Sequence, residues 1–337
     1  MPLAMETSLI NFRDRFRDLA LASLWRRWTT LGIAGQQAGA DDRIIDPEAL
    51  LLTTTTFARH DPRLFDEVLD WLNTNGQFIN LQRLQNLSEC LGQRSVLEGM
   101  AAHLAKRTVH SKWRTLLGSG SDATRSEPLF PGVPVVGAPD ELFARRGWLR
   151  APVELRQLSQ APDPHRSSNL LIKLRCLFGM QARAEVMAYL LSFDSGHPGE
   201  MAGRLGYFPR TLLTTLNDMA RSGHVWARRE GHEKRFWLRQ EDWRFLITWP
   251  AQPGRTASEF PRWADYALTY TACEMVWHFL NRPELHDASE AVQCIELRSC
   301  LQRMDPALLR THIHIPPGAA GATFLNAALE ELCRLLE

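Results

Sequence analysis

EMAGRLGYFPRTLLTTLNDMARSG, residues 200–223, carries two helix signals separated by a tight turn. Pro198 just ahead of it suits a first helical position, where the missing N–H has no intrahelical partner, and Met201, Ala202 and Leu205 then fall on one side of a short helix. Gly206 is able to take the left-handed backbone that ends it. Gly206, Tyr207 and Phe208 form the turn, and Pro209 opens a second helix that runs to about Ser222 and stops at Gly223. At about 100° per residue, Leu212, Leu213, Leu216, Met219 and Ala220 gather on one side. Arg210, Thr211, Thr214, Asp218 and Arg221 lie on the other, with Thr215 beside them.

Working outward, Gln181–Leu191 places Val186, Met187, Leu190 and Leu191 on one helical face ahead of the pair. After the pair, His224–Arg229 and Glu233–Arg239 are two short runs rich in aromatic and β-branched residues, joined at Glu230, Gly231 and His232. Three helices followed by a β-hairpin make a winged helix-turn-helix, and the expected fold is mainly α, with this unit flanked by N- and C-terminal helical regions. From Arg204 to Arg239 there are eight basic residues against three acidic ones, a surplus of five in a chain whose net charge is +1. Positive charge is therefore concentrated where a wing would reach phosphates. Short hydroxyl side chains flanked by arginines suit a helix in a major groove, Arg pairing with guanine and Thr with a base edge or phosphate. An ordinary solvated face has the same composition, and the hairpin tips the reading toward double-stranded DNA.

The run LFGMQARAEVMAYLL from Leu177, EMAGRLG from Glu200, LNDMARSGHV from Leu216 and RREGH from Arg228 resembles the ArsR-type winged helix of bacterial transcription regulators over residues 170–245. That resemblance implies base contacts from Arg210, Thr211, Thr214 and Thr215, and phosphate contacts from Arg221, Arg228, Arg229, Lys234 and Arg235. Tyr207, Asp218 and His232 complete the candidate DNA-binding set. Two departures stand out. The metal-sensing members carry a cysteine pair in the helix where this chain has HPGEMAGRL, so no metal is expected there. The turn holds Tyr207, Phe208 and Pro209 in place of a small polar cap, so either Phe208 packs under the helix or an aromatic ring sits at the DNA surface.

The remaining sequence sets bounds. A chain of 337 residues, 45% hydrophobic and 23% charged, has room for two or three soluble domains. No apolar run approaches the length of a membrane span and the first residues lack a signal-peptide pattern, so a cytoplasmic protein is expected. The cysteines, at 90, 176, 273, 294, 300 and 333, form no C-x-x-C pair, and burial as small apolar residues is expected for most of them. No P-loop, G-x-S-x-G, H-E-x-x-H or dinucleotide fingerprint occurs, so neither an enzyme nor a cofactor is expected. His312 and His314 would share one side of a strand, most simply an exposed strand end.

Residues 1–117 read as an N-terminal helical domain, with helix starts at Asp46-Pro47 and Asp61-Pro62. Within it, residues 63–107 have the order of a possible second helix-turn-helix ending in His103, Lys106, Arg107 and His110. Residues 118–165, glycine- and proline-rich, read as a linker or docking segment; residues 166–249 as the winged helix; residues 255–337 as a C-terminal helical domain. One long helix over Arg262–Leu280 is expected there, serving dimerisation, with an effector pocket lined by Trp263, Tyr266, Tyr270 and Trp277 as the rival. The functional expectation is a homodimeric transcriptional repressor, its small-molecule effector unknown. The alternatives are a protein-interaction module of antitoxin or assembly type, and an enzyme whose site is dispersed in sequence.

Overall fold

A computed structural model describes residues 8–35, 43–106, 108–118, 126–231, 233–248 and 259–336. In chain order they form α1 (Leu9–Leu31), β1 (Arg43–Ile44), α2 (Pro47–Phe57), α3 (Pro62–Asn75), α4 (Leu81–Leu87) and α5 (Arg94–Ala105). Then come β2 (Glu127–Pro128), α6 (Glu141–Ala144), β3 (Trp148–Leu149), α7 (Leu170–Phe178), α8 (Ala182–Ser192), α9 (Pro198–Leu205) and α10 (Pro209–Arg221). The hairpin strands β4 (Trp226–Glu230) and β5 (Glu233–Trp237), β6 (Arg262–Trp263), α11 (Tyr266–Leu280), α12 (Pro283–His286), α13 (Glu290–Gln302), α14 (Pro306–His312) and α15 (Gly321–Arg334) complete it. The protein is mainly helical, and no helix among the described residues is long and apolar enough to cross a membrane.

Helix starts follow the local chemistry. Asp46 and Asp61 accept hydrogen bonds from Ala49 N at 3.1 Å and Leu64 N at 3.0 Å, and a proline follows each at the first helical position. The central element is α2, whose residues are all buried, including Thr53–Thr56. Four consecutive threonines survive there because Thr53, Thr54 and Thr55 bond back to the carbonyls of Ala49, Leu50 and Leu52, while Thr56 donates to Glu274 of α11.

The buried residues form two cores, and their membership corrects the expected division into separate terminal domains. α1–α6 and α11–α15 share the larger core, so residues from both ends of the chain complete one body. The smaller core belongs to α7–α10 and the hairpin, with Ile44 and Trp263 added from β1 and β6, which pair in parallel. That pairing also shortens the expected helix over 262–280, which begins only at Tyr266. α5 exposes only Arg94 among its described side chains up to Ala105, and Gly99 lies where a Cβ would meet the Phe143 ring at 2.6 Å. Of the residues expected to meet phosphate at its end, His103 is half-buried and Lys106 is exposed, while Arg107 and the side chain of His110 lie outside what is described. The segment after β3 is docked. The buried Asp70 carboxylate accepts from the backbone N–H groups of Gln157, Leu158 and Ser159 at 2.8, 3.0 and 3.1 Å, and Gln157 takes φ 55° to allow it. Most of the glycine-serine turn, residues 119–122, and the linker over 250–254 lie outside the described residues.

Candidate nucleic-acid interface

α8, α9 and α10 pack through Val186, Met187, Leu190, Leu191, Met201, Leu205, Leu212 and Leu216, all buried. Gly206, at φ 70°, turns the chain between α9 and α10 with a left-handed backbone, and a Cβ there would meet Leu87 Cδ2 at 2.9 Å. β4 and β5 form an antiparallel hairpin closed at Gly231, φ 61°. Gly196 bridges Phe236 on the far side of β5, which ties the hairpin to the start of α9, while Phe236 is fully buried.

On the outer side of α10, Arg210, Thr211, Thr214 and Arg221 are exposed and Thr215 is half-buried. Asp218 accepts from Arg221 at 2.9 Å. Leu213 departs from the expected inward stripe and is 39% exposed. It sits about 100° round from Leu212, at the edge of a buried arc that closes on Leu212 and Leu216. Asn217 was missed by the sequence reading. It completes the stripe Arg210, Thr214, Asn217, Arg221 at i, i+4, i+7 and i+11, and its Oδ1 accepts from Lys234 Nζ of the hairpin at 2.6 Å.

The hairpin register sets like charges against each other. Arg228 faces Arg235 and Arg229 faces Lys234 across the two strands, with Glu230 opposite Glu233 at the turn. Arg235 is half-buried and tied inward, 3.6 Å from Glu200 and 3.3 Å from Ser195 Oγ. That removes it from the set of projecting phosphate contacts. Arg228, Arg229 and Arg210 are exposed, and their side chains make no hydrogen bond or ion pair among the described residues. His232 lies outside the described residues.

Tyr207 is corrected as well. Its side chain turns inward, and its hydroxyl accepts from Asn80 Nδ2 at 2.8 Å. Burial, then the Glu185 carboxylate, pushes the phenol pKa up. The aromatic ring at the surface is that of Phe208, 72% exposed.

Behind α9 and α10 lies a buried ionic network that no local pattern announced. Arg83 of α4 donates to Asp46 Oδ1 and Oδ2 at 2.6 and 2.5 Å, to Glu48 Oε2 at 2.7 Å and to Leu205 O at 2.6 Å. Arg175 of α7 donates to both Glu48 oxygens at 2.8 and 2.6 Å, to Glu185 Oε1 at 2.7 Å and to Phe78 O at 2.7 Å. Both guanidiniums and their three carboxylate partners are at most 1% exposed. Burial opposes the Arg83 charge, but Asp46, Glu48 and Glu185 outweigh it and hold the guanidinium well above its ordinary range. Burial likewise works against the Asp46 carboxylate, and Arg83 reverses the balance and holds it low. The network joins α2 and α4 of the larger core to α7, α8 and the end of α9, so it fixes the orientation of α10 on the body.

Elsewhere the expected sites dissolve or move. His312 ends α14 and is not on a strand, and among the described residues no group of three metal-ligating side chains comes together. Cys90 and Cys176 are exposed and the other four cysteines are buried and unbridged. Tyr270 and Trp277 belong to the larger core, where the Trp277 ring is 5.5 Å from that of Phe57, while Trp263 and Tyr266 border a cleft beside α9. In comparisons with known proteins, no family model, no curated protein and no solved structure matches this chain.

Proposed function

We propose that the protein is a sequence-specific DNA-binding transcriptional regulator of the winged-helix type. It works in the cytoplasm as a homodimer on two half-sites, and it represses by occluding a promoter. α10 is the reading helix, with Arg210, Thr211, Thr214 and Thr215 at base edges and Arg221 at the backbone. The hairpin is the wing, with Arg228, Arg229 and Lys234 on phosphates.

The observation that carries this reading is the stacking of like charge in the wing. Arg228 opposite Arg235 and Arg229 opposite Lys234 each cost roughly 0.2–1 kcal/mol in an antiparallel pair. Lys234 has a neutral amide and the Phe236 ring, 5.0 Å from its Nζ, but no acid, and the Arg229 side chain has no partner among the described residues. Arg235 is already offset by Glu200 and Glu230, so the repulsion that a polyanion laid along the wing relieves is that between Arg229 and Lys234. The outer face of α10, next to it and linked to it through Asn217 and Lys234, offers the short polar groups that a groove accepts.

The test is a pair of substitutions in purified protein. Arg210→Ala is expected to lower discrimination between the operator and a mismatched site by about 1–3 kcal/mol, whereas Lys234→Ala weakens all DNA alike and flattens the salt dependence. Unchanged binding in both refutes the placement of the helix and wing.

A second reading rests on Phe208 and Leu213, apolar side chains exposed at the start of α10. They favour a protein partner for the same face, as in an antitoxin or assembly factor. Salt-insensitive association with a protein, lost in Phe208→Ser, distinguishes it.

A further inference from the structure

A cleft of about 720 Å³ opens between α9 and the C-terminal helices α11 and α14, a volume within the range of small-molecule sites. Phe193, Tyr266 and Leu308 give it apolar walls, and Arg204 and Arg262 bring guanidiniums to it. The acids on the rim are mostly occupied: Asp305 accepts from Ala307 N at 2.8 Å at the start of α14, and Glu200 lies 3.6 Å from Arg235. Arg262 is exposed, and its side chain has no hydrogen bond or ion pair among the described residues. Asp265 differs from the other acids. It occupies the N-cap position of α11 but makes no capping hydrogen bond, and its Oδ2 is 3.6 Å from Arg204. Its Oδ1 is buried and makes no well-formed hydrogen bond among the described residues; the nearest donor is the Trp263 indole N–H, itself buried and left unsatisfied beside the same carboxylate. A buried acceptor left open is costly unless something supplies a donor.

We propose that this cleft binds a small organic carboxylate with a planar apolar body and a hydrogen-bond donor. The carboxylate sits on Arg262 and Arg204, the donor meets Asp265 Oδ1, and the body lies against Phe193, Tyr266 and Leu308. The binding site stands independently of the DNA-binding reading. Its regulatory consequence rests on that reading: α9 is one wall of the cleft and packs directly on α10, so the ligand acts on the helix that carries Arg210.

The experiment is isothermal titration of the full chain, without DNA, with indole-3-acetate, 4-hydroxyphenylacetate and 2-naphthylacetate, each beside its neutral amide. The carboxylates bind, the amides bind at least about tenfold more weakly, and the two ligands with a donor exceed 2-naphthylacetate. Arg262→Ala, at an exposed position, weakens the carboxylates about tenfold while thermal unfolding is unchanged. Asp265→Ala, which deletes the acceptor, removes the advantage of the ligands with donors. Binding by none of the three carboxylates, equal binding of the amides, or undiminished binding by Arg262→Ala overturns the site. Titration with DNA present tests the consequence separately: DNA affinity unmoved by a ligand that binds refutes the coupling, and absence of DNA binding refutes the function while leaving the site to the calorimetry.

Discussion

Replacing Arg83 with Met tests whether the buried ionic network holds the three-helix and hairpin unit on the body. The change keeps an apolar stem and deletes a guanidinium that makes four hydrogen bonds, to Asp46, Glu48 and Leu205 O. Asp46 is left buried with only Ala49 N–H and the more distant Arg175 to balance it. Breaking one partner of a buried pair costs about 3–5 kcal/mol, a large part of the 5–15 kcal/mol that roughly bounds a domain's stability. In the native protein the Asp46 pKa is lowered, so its stabilisation is full above the ordinary value of 3.8 and is lost as pH falls through the folded value. Without Arg83, burial raises that pKa and the sign reverses: the variant gains stability as pH is lowered from neutrality. Urea denaturation at several pH values reads both effects, with Arg94→Met as a control because Arg94 is 57% exposed and its pair with Glu98 is worth little. Adding Asp46→Asn to Arg83→Met removes the stranded charge and keeps the cap acceptor, and is expected to recover more than about 1 kcal/mol. A loss no larger than that of Arg94→Met, or no recovery in the double variant, refutes the reasoning.

Further expectations concern the wing, two buried titrating groups and the turn before α10. Arg228→Ala with Arg229→Ala lowers the slope of log affinity for DNA against log salt by about 1.8, at roughly 0.9 per phosphate contact, and leaves stability unchanged or slightly raised because like-charge pairs are relieved. Burial raises Glu274 from 4.5 to about 6 against hydrogen bonds from Thr56 and Gly92 N, so its contribution is full below 4.5 and about 2 kcal/mol is lost as pH rises through 6. Burial, then Arg17 and Arg59, lowers His60 from 6.5 to about 4, so its contribution is full above 6.5 and falls as pH drops toward 4. Glu274→Gln and His60→Ala therefore change the pH dependence of melting in opposite directions between 4.5 and 6. Gly206→Ala forces a side chain into φ 70° and against Leu87, costing about 1–2 kcal/mol by chemical denaturation.

The local periods were readable. The stripes of α8 and α9, the proline starts of α9 and α10, the caps at Asp46 and Asp61, and the hairpin turn at Gly231 all occur where residue type and spacing place them. What sequence withheld depends on partners far along the chain. Arg83, Arg175 and Glu185 have the spacing of solvated charges, and only the meeting of α2, α4, α7 and α8 buries them. Tyr207 looked like a surface ring because its partner, Asn80, is 127 residues away. Asp70 gathers the docked segment over 157–159 through backbone N–H groups, which carry no residue identity at all. The sharing of one core by α1 and α11 is likewise a long-range fact, and the terminal regions looked like separate domains for that reason.

The most direct measurement for the DNA-binding reading is equilibrium binding of the purified chain to DNA from upstream of its own gene. It is run against unrelated DNA of equal length at several salt concentrations. Preference for the upstream fragment, with log affinity falling steeply against log salt, is the predicted result. Absence of binding to either DNA at low salt contradicts the DNA-binding reading and leaves Phe208 and Leu213 as the start of a protein-binding face.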